Sequence, residues 1–287
     1  MQWSKQRAAL RALLTGPVCI RPGSVYDATS ARIAEDLGFE LGMLGGSTAS
    51  LTVLGDPDLM LITLSELAET VRRITRAGEL PLLIDADHGF GNALNVRRTV
   101  QELEGAGAAG LTIEDTLLPT AYGQARPQLI SLEEGIGKMK AAVEARVDPS
   151  MSIFARTGAN ISGIDDAIVR AKAYETTGVD ALFFTGITSR AQLEAVRAAT
   201  RLPIMLGTTE KELDDIPYLT GQGVRIANQG HTPFAAASQA VYETLKALRE
   251  GAKPKDLKGL PSADLVNRLM RQSSVKDRLA AFLGIAS

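Results

Sequence analysis

Short apolar runs alternate with longer amphipathic stretches along most of the chain. The short runs do not alternate strictly between apolar and polar residues, which is typical of strands buried on both faces of a parallel sheet. The pattern predicts eight strands, at residues 17–20, 40–44, 81–84, 110–113, 151–155, 181–184, 203–206 and 224–227.

The amphipathic stretches predict helices between these strands. Thr63 is an expected N-cap, and Ser131 stands three residues before Glu134, the spacing of a capping box. Pro233 suits the first turn of the helix that follows the last strand. The predicted helices start within residues 1–11 and occupy 27–37, 63–76, 95–105, 131 onward, 165–177, 189–199, 211–219, 233–249 and 262–284.

Eight strand–helix units in fewer than 260 residues predict an α/β fold, a (β/α)8 TIM-type barrel with extra C-terminal helices. We expect residues 1–250 to form the barrel and residues 251–287 to form a helical extension that packs on the barrel or on a neighbouring subunit. An open doubly wound sheet is the alternative, but no Gly-x-Gly-x-x-Gly follows the first predicted strand.

Composition narrows the classes of partner. The 287-residue chain has 45% hydrophobic residues and a net charge of −2, so neither nucleic acid nor an anionic membrane is an expected partner. No apolar segment is long enough to span a bilayer, and the N-terminus has no pattern of a secretion signal. The single cysteine, Cys19, excludes an internal disulfide, fits the cytoplasm and is expected to be buried.

The stretch 82–92 turns abruptly from apolar residues to acids, a histidine and glycines. Asp85 and Asp87 lie two residues apart, so on a strand their side chains point the same way. Paired carboxylates raise each other's pKa unless a cation lies between them, and a hard ion such as Mg2+ accepts such ligands. The alternative is that both aspartates cap a helix or solvate a turn.

The other predicted strands also end in polar residues. In barrels of this kind, the active site is built at the C-terminal ends of the strands. Acids and an arginine that converge there must offset one another or bind something, which favours a metal ion and an anionic ligand. Both histidines, His88 and His231, lie in these loops. The residues at the predicted strand ends are Ser47, Asp85, Asp87, Glu114, Asp115, Arg156, Thr208, Glu210, Asn228 and His231.

Residues 83–92 resemble the Asp-x-Asp-x-Gly-x-Gly signature of the phosphoenolpyruvate mutase/isocitrate lyase superfamily. The resemblance continues through residues 45–47, 57–58, 113–115 and 155–157, and thus covers nearly the whole chain in order. Within the superfamily, the sequence is most similar to the oxaloacetate decarboxylase branch.

This resemblance implies a Mg2+ ion, with Mn2+ as an alternative, coordinated directly by Asp85. Asp87, Glu114 and Asp58 are implied to act largely through bound waters. The resemblance also implies that Arg156 and backbone N–H groups around Gly46 and Ser47 hold an α-keto acid. It further implies a homotetramer in which paired subunits exchange the last barrel helix.

The chain departs from the lyases of this superfamily at four places. The loop at 117–126 lacks their cysteine, and Thr185 replaces a glutamate. Gly158 replaces the aspartate of their Arg-Thr-Asp-Ala sequence, and His231 lies where they tend to carry proline. Cleavage of isocitrate or methylisocitrate is therefore disfavoured.

The expected reaction is Mg2+-dependent decarboxylation of oxaloacetate to pyruvate and CO2 through an enolate stabilised by the metal and by Arg156. His231 is expected to supply or relay a proton, or to orient the leaving carboxylate. The alternatives are a methylisocitrate lyase-like C–C lyase or hydrolase acting on a related α-keto or 2-hydroxy diacid, and a catalytically silent binder of oxalate-like metabolites.

Overall fold

The computed structural model describes residues 3–209 and 211–285. Within them, eight parallel strands form one sheet in which the spatial order follows the chain order, and each strand is separated from the next by helix. The predicted α/β barrel is therefore confirmed. The strands are β1 (Gly23–Ser24), β2 (Gly42–Leu44), β3 (Leu82–Asp85), β4 (Gly110–Glu114), β5 (Ser152–Gly158), β6 (Ala181–Thr185), β7 (Ile204–Leu206) and β8 (Val224–Ala227).

The sheet curls until its two ends meet at Ile20, just before β1. The backbone N–H of Ile20 donates to the carbonyl of Arg225 at 2.9 Å, and its carbonyl accepts from the N–H of Ala227 at 3.0 Å. These two bonds join the segment before β1 to β8 in the parallel sense. The strand ends therefore form a ring, and residues far apart in the chain face one opening.

The first predicted strand, at residues 17–20, is wrong except for Ile20. The backbone N–H of Cys19 donates to the hydroxyl of Thr220 rather than to a neighbouring strand, and Val18 is exposed. Proline has no N–H to offer a ladder, and Pro17 and Pro22 flank this run. Cys19 itself is buried, as expected.

The helices agree closely with the predicted ones, and two short additional helices follow β2 and β5. Thr63 caps its helix in a reciprocal capping box with Glu66, and the Ser131 side chain accepts the N–H of Glu134. The helices are α1 (Ser4–Thr15), α2 (Ala28–Asp36), α3 (Gly46–Val53), α4 (Leu64–Thr75), α5 (Ala93–Gly105), α6 (Leu132–Ala145), α7 (Ala159–Ser162), α8 (Ile164–Glu175), α9 (Arg190–Ala199), α10 (Ile216–Gly221), α11 (Thr232–Arg249), α12 (Ala263–Leu269) and α13 (Gln272–Leu283).

The apolar core has two layers. The larger layer lies between the strands and their covering helices, and the smaller one fills the barrel interior. Leu10 and Leu14 of α1 belong to the interior layer, together with side chains that the strands point inward. The interior side chains of the strands include Met43, Leu83, Phe154, Phe183, Met205 and Ile226.

The chain divides into two compact units after Thr232. Helices α12 and α13 belong to the second unit, together with nearly all of α11, and none of these three helices has a buried residue. The predicted boundary at residue 250, between the barrel and its helical extension, stays a prediction. In the described ranges, no helix combines the length and apolar character needed to cross a membrane.

Candidate active site

Three neighbouring strands bring two carboxylates and a guanidinium together at the mouth of the barrel. Asp85 ends β3, Glu114 ends β4, and Arg156 lies beside Glu114 in the β4–β5 register. Nη1 of Arg156 lies 2.9 Å and 2.7 Å from the two carboxylate oxygens of Asp85. Nη2 lies 3.1 Å from Oε2 of Glu114. One arginine therefore bridges the ends of β3 and β4.

Asp87 joins this cluster through an unusual backbone conformation. Its φ is 48°, a left-handed value, and its carbonyl accepts the N–H of Glu114 at 2.7 Å. The Asp87 side chain is buried, and its Oδ2 has no hydrogen-bond partner among the described residues. A Cβ at Gly46 would lie 2.5 Å from Oδ1 of Asp87, so glycine at position 46 makes room for this carboxylate.

Three carboxylates of the cluster, those of Asp87, Glu114 and Asp58, lie in surroundings that disfavour their charged form. Burial, and then the charges of Asp85, Asp58 and Glu114, raise the pKa of Asp87 well above its usual value. Burial also raises the pKa of Glu114, and desolvation together with Asp85 raises that of Asp58. Burial alone lowers the pKa of Arg156, but the charges of Asp85 and Glu114 outweigh it and raise that pKa.

The cluster therefore sets four carboxylates against one guanidinium. Two of them are already paired with Arg156, and across residues 3–209 and 211–285 no three Asp, Glu, His or Cys side chains are spaced to hold a metal ion. The chemistry of the donors nevertheless fits a hard divalent cation, because all are carboxylate oxygens and Asp87 Oδ2 is buried without a partner.

His231 lies across the mouth, against the ends of β1 and β2. Its Nδ1 is 2.8 Å from the hydroxyl of Ser24, and a Cβ at Gly45 would lie 2.3 Å from its Nε2. Burial lowers the pKa of His231, while the charges of Asp85 and Asp58 act in the opposite direction. The ring is thus held between a serine and a glycine that leaves space for it.

Two cavities of about 240 and 360 Å3 lie at this mouth and share Asp58, Arg156 and Thr185. Asp85, Ser47 and His231 line the first, together with Thr208 and Asn228. Asp87 and Glu114 line the second, next to Leu118 of the loop after β4. Apart from Gly46, which packs against Asp87, every residue that was assigned a role in metal binding, substrate binding or catalysis lines one of the two cavities.

Asp115, which the sequence placed at a strand end, and His88, which it placed in the loop after one, line neither cavity. Asp115 is fully buried and accepts from Tyr174 at 2.6 Å and Arg170 at 3.0 Å, away from both cavities. His88 is buried, and burial together with the charge of Lys138 lowers its pKa to about 4. Glu210 lies outside the described residues.

Sequence reasoning missed Ser24, Phe183 and Asn160. Ser24 ends β1 as Asp85 ends β3, but the misplaced first strand concealed this. The ring of Phe183 lies 5.2 Å from the guanidinium carbon of Arg156, a cation–π contact that follows from inward alternation along β6. No pattern in the sequence marks Asn160, which enters the second cavity from the unpredicted helix α7.

The fold and the strand-end residues define a TIM-type barrel enzyme with an acidic mouth and one arginine set among the acids. The sequence profile described as Phosphoenolpyruvate phosphomutase matches residues 10–249. The chain belongs to this family, within the phosphoenolpyruvate mutase/isocitrate lyase superfamily.

Individual relatives place it more finely. A Bradyrhizobium diazoefficiens protein named Oxaloacetate decarboxylase is 68% identical over 285 residues, which cover 99% of each chain. The structure of an oxaloacetate acetylhydrolase with 3,3-difluorooxalacetate is 28% identical with a TM-score of 0.84, covering 96% of this chain and 97% of that one. A phosphonopyruvate hydrolase complex with oxalate and Mg2+ is also 28% identical, with a TM-score of 0.84, covering 97% and 99%.

The predicted superfamily and branch are therefore confirmed. The prediction of an enzyme is confirmed as well, because full-length relatives at 62–68% identity carry the name of a carbon–carbon lyase.

Proposed function

We propose that this chain catalyses the Mg2+-dependent decarboxylation of oxaloacetate to pyruvate and CO2. The observation that carries the proposal is the group of four carboxylates around Arg156 beside two cavities. A dianionic keto acid is repelled by such a group unless a cation offsets it, and carboxylates are the ligands that Mg2+ accepts. The name of the 68%-identical relative supports oxaloacetate as the keto acid.

Asp85 is the residue proposed to hold the ion directly, with Asp87, Glu114 and Asp58 acting through bound waters. A bound Mg2+ would polarise the carbonyl oxygen of the substrate as a Lewis acid. Arg156 engages both oxygens of Asp85, so this ion pair would have to open for Asp85 to hold an ion. The guanidinium is planar and carries paired donors, and it would then be free to bind the carboxylate of an anionic ligand.

The N-terminus of α3 is the proposed binding site of a substrate carboxylate. The first N–H groups of a helix have no partner within the helix, and they attract anions. Those of Gly46 and Ser47 begin α3 next to Asp87, and Ser47 lines the first cavity. Arg156 is proposed to bind the keto acid from β5.

The reaction breaks the C3–C4 bond of oxaloacetate. The bonding electrons stay on the substrate as the C2–C3 enolate while CO2 leaves, so no strong base is needed. Arg156 stabilises the negative charge that builds on the enolate oxygen. A proton must then reach C3 to give pyruvate, and His231 is proposed to supply or relay it, or to orient the leaving carboxylate.

The deciding experiment is NMR of the products formed from a panel of α-keto and 2-hydroxy diacids with Mg2+. Pyruvate and CO2 from oxaloacetate support the proposal, whereas oxalate or glyoxylate as the main product contradicts it. Asp85→Ala and chelation by EDTA should each abolish turnover. His231→Gln should lower it, and unchanged turnover of that variant would remove His231 from the mechanism.

Hydrolytic or aldol-type cleavage of a related diacid is the second candidate. The similarity to an oxaloacetate acetylhydrolase structure favours it, because that enzyme shares the fold over nearly the whole chain. The same product panel separates the two reactions, since hydrolysis of oxaloacetate gives acetate and oxalate rather than pyruvate.

We also propose a cytoplasmic homotetramer in which paired subunits exchange the last barrel helix. Apolar residues on α11 support it: Val241, Tyr242, Leu245 and Leu248 are spaced as one helical stripe, and all are exposed. Leu245→Asp should lower the mass measured by light scattering, whereas Glu243→Lys, on the other side of the helix, should not. Sedimentation of the wild-type chain as a monomer would contradict the proposed tetramer. The proposed cytoplasmic location is tested separately by cell fractionation.

A further inference from the structure

The hydrogen bond between Ser24 and His231 is a feature of the mouth that the proposed reaction does not use. Ser24 ends β1 and lines the same cavity as His231. Its Oγ lies 2.8 Å from Nδ1 of the ring. On the far side, the missing Cβ of Gly45 lets the ring edge with Nε2 approach the backbone after β2. Ser24 is the last residue of β1 and Gly45 directly follows the neighbouring strand β2, so the ring is held from both sides.

Which of the two groups donates this hydrogen bond can be inferred from the acceptors within reach of the Ser24 hydroxyl hydrogen. In the described part of the chain, Oγ of Ser24 has one hydrogen-bond partner, Nδ1 of His231. If Nδ1–H donated to Oγ, the hydroxyl hydrogen would have no acceptor among these residues. If the hydroxyl donates to Nδ1, its hydrogen is satisfied and the ring proton resides on Nε2.

The second ring nitrogen is left available for a ligand. No hydrogen bond from Nε2 to another described residue is present, and Nε2 is not among the buried atoms without partners. A nitrogen that carries a proton donates to a carboxylate, whereas a bare lone pair repels it. Burial lowers the pKa of His231 and so favours the neutral ring, in which one of the two nitrogens carries the proton.

We propose that Ser24 is a positioning residue that donates to Nδ1 of His231, keeps the ring proton on Nε2 and presents Nε2–H to the substrate. The inference rests on the proposed role of His231 in decarboxylation. Ser24 acts through His231 and does not itself touch the reacting atoms. The arrangement resembles the second-sphere hydrogen bonds that select the tautomer of functional histidines in other enzymes.

Three serine variants test the kinetic side. Ser24→Ala should lower kcat/KM for oxaloacetate roughly five- to tenfold, the cost of one lost orienting hydrogen bond. Ser24→Thr keeps a hydroxyl and should recover most of the loss. Ser152→Ala is the matched control. Ser152 is a buried serine at the start of β5, at the end of that strand away from the mouth, and its Oγ has no partner among the described residues. Its kinetics should equal those of the wild type.

The proton is located directly by NMR of protein labelled with 15N-histidine at about pH 8, where a neutral ring is expected. The chain has two histidines, and His231→Gln assigns the signals by removing one set. We expect a one-bond N–H coupling at Nε2 in the wild type and in Ser24→Thr. In Ser24→Ala, both tautomers should be populated.

A wild-type ring protonated on Nδ1 would overturn the proposal. So would a Ser24→Ala protein that is folded by circular dichroism and keeps both the wild-type tautomer and the wild-type kcat/KM. If the wild type releases no pyruvate from oxaloacetate, the proposed function fails, while the tautomer measurement still decides whether Ser24 sets the position of the ring proton.

Discussion

Two successive glycines, Gly45 and Gly46, decide where two functional side chains can lie. Neither has a positive φ, so neither is needed for backbone freedom. Both are needed for space, because a Cβ at position 45 would meet the ring of His231 and one at position 46 would meet Asp87. The polar groups of the mouth are therefore placed partly by the absence of side chains.

Gly45→Ala should displace His231 while the barrel stays folded. The added Cβ would lie 2.3 Å from Nε2, a separation that real contacts do not reach, so the ring must leave its position against Ser24. We expect kcat/KM to fall at least as far as in His231→Gln. Gly137→Ala on α6 is the control, since nothing lies within 4 Å of its Cβ. It should leave turnover unchanged and stabilise the helix by about 0.5–1 kcal/mol. Full activity of Gly45→Ala would contradict the placement of the ring.

The raised pKa of Asp87 predicts a stability that depends on pH in metal-free protein. The folded state binds the proton more tightly than the unfolded state, so in wild type this residue costs stability as pH rises from its usual pKa through the raised one. Asp87→Asn removes this cost. In EDTA, the gain in unfolding free energy of the variant over wild type should be near zero at low pH and grow toward neutrality, as measured by urea titration. A gain that is constant with pH would show that Asp87 keeps its usual pKa.

At the scale of elements, helices outside the barrel fix the end of a strand that carries a site residue. Asp115 follows Glu114 directly but faces outward, where Tyr174 and Arg170 of α8 bind its carboxylate. Burial raises the pKa of Asp115, and these hydrogen bonds partly offset that effect. A Cβ at Gly135 of α6 would lie 2.3 Å from the hydroxyl of Tyr174, so three elements meet at this carboxylate. The end of β4, which carries Glu114, is fixed by this contact.

Removing the Tyr174 hydroxyl should weaken that junction. Tyr174→Phe leaves a buried carboxylate with one donor fewer, which costs about 1–3 kcal/mol of unfolding free energy. The matched control is Tyr218→Phe. The Tyr218 hydroxyl contacts the exposed Glu194 and the carbonyl of Arg190, and its removal should change stability by less than about 0.5 kcal/mol. Denaturant titrations of the two variants make the comparison. Equal losses would mean that the Asp115 contact has no special weight.

At the scale of the whole molecule, charge is distributed unevenly. The net charge of the chain is only −2, yet four carboxylates meet at one end of the barrel. The opposite end is closed by α1, where Arg7 binds Asp148 at 2.9 Å and the carbonyl of Glu104 at 2.7 Å. The carboxylate of Asp148 at that end is thus paired with a cationic side chain, whereas the carboxylates at the mouth outnumber the one guanidinium among them.

Magnesium should therefore stabilise the fold as well as activate the enzyme. At 100 times its dissociation constant, a ligand that binds only the folded state adds about 2.7 kcal/mol, so the melting temperature should rise with Mg2+ and fall again in EDTA. Asp85→Ala should abolish the rise. Asp256→Ala removes an exposed carboxylate from the second unit and should retain it. An equal rise in both variants would indicate binding outside the mouth.

Much of the fold could be predicted from the sequence because each strand–helix unit carries local signals. Apolar runs mark the strands from β2 to β8, and Thr63 and Ser189 mark helix starts that the structure reproduces. The first strand could not be predicted in the same way, because β1 has only two residues, one of them glycine. With that strand misplaced, Ser24 carried no signal of its position at the mouth.

The sequence by itself determined the order of the eight units, the family, and which polar residues end the strands, because these depend on local patterns of side chains. Neighbouring residues along an extended chain point to opposite sides, so Glu114 and Asp115 must face different ways. Only the tertiary structure decided that Glu114 faces the mouth and Asp115 faces α8. It alone decided that Arg156 bridges Asp85 and Glu114 and that Ser24 meets His231. Those contacts join residues that are far apart in the sequence, and they depend on how the strands are aligned when the sheet closes on itself.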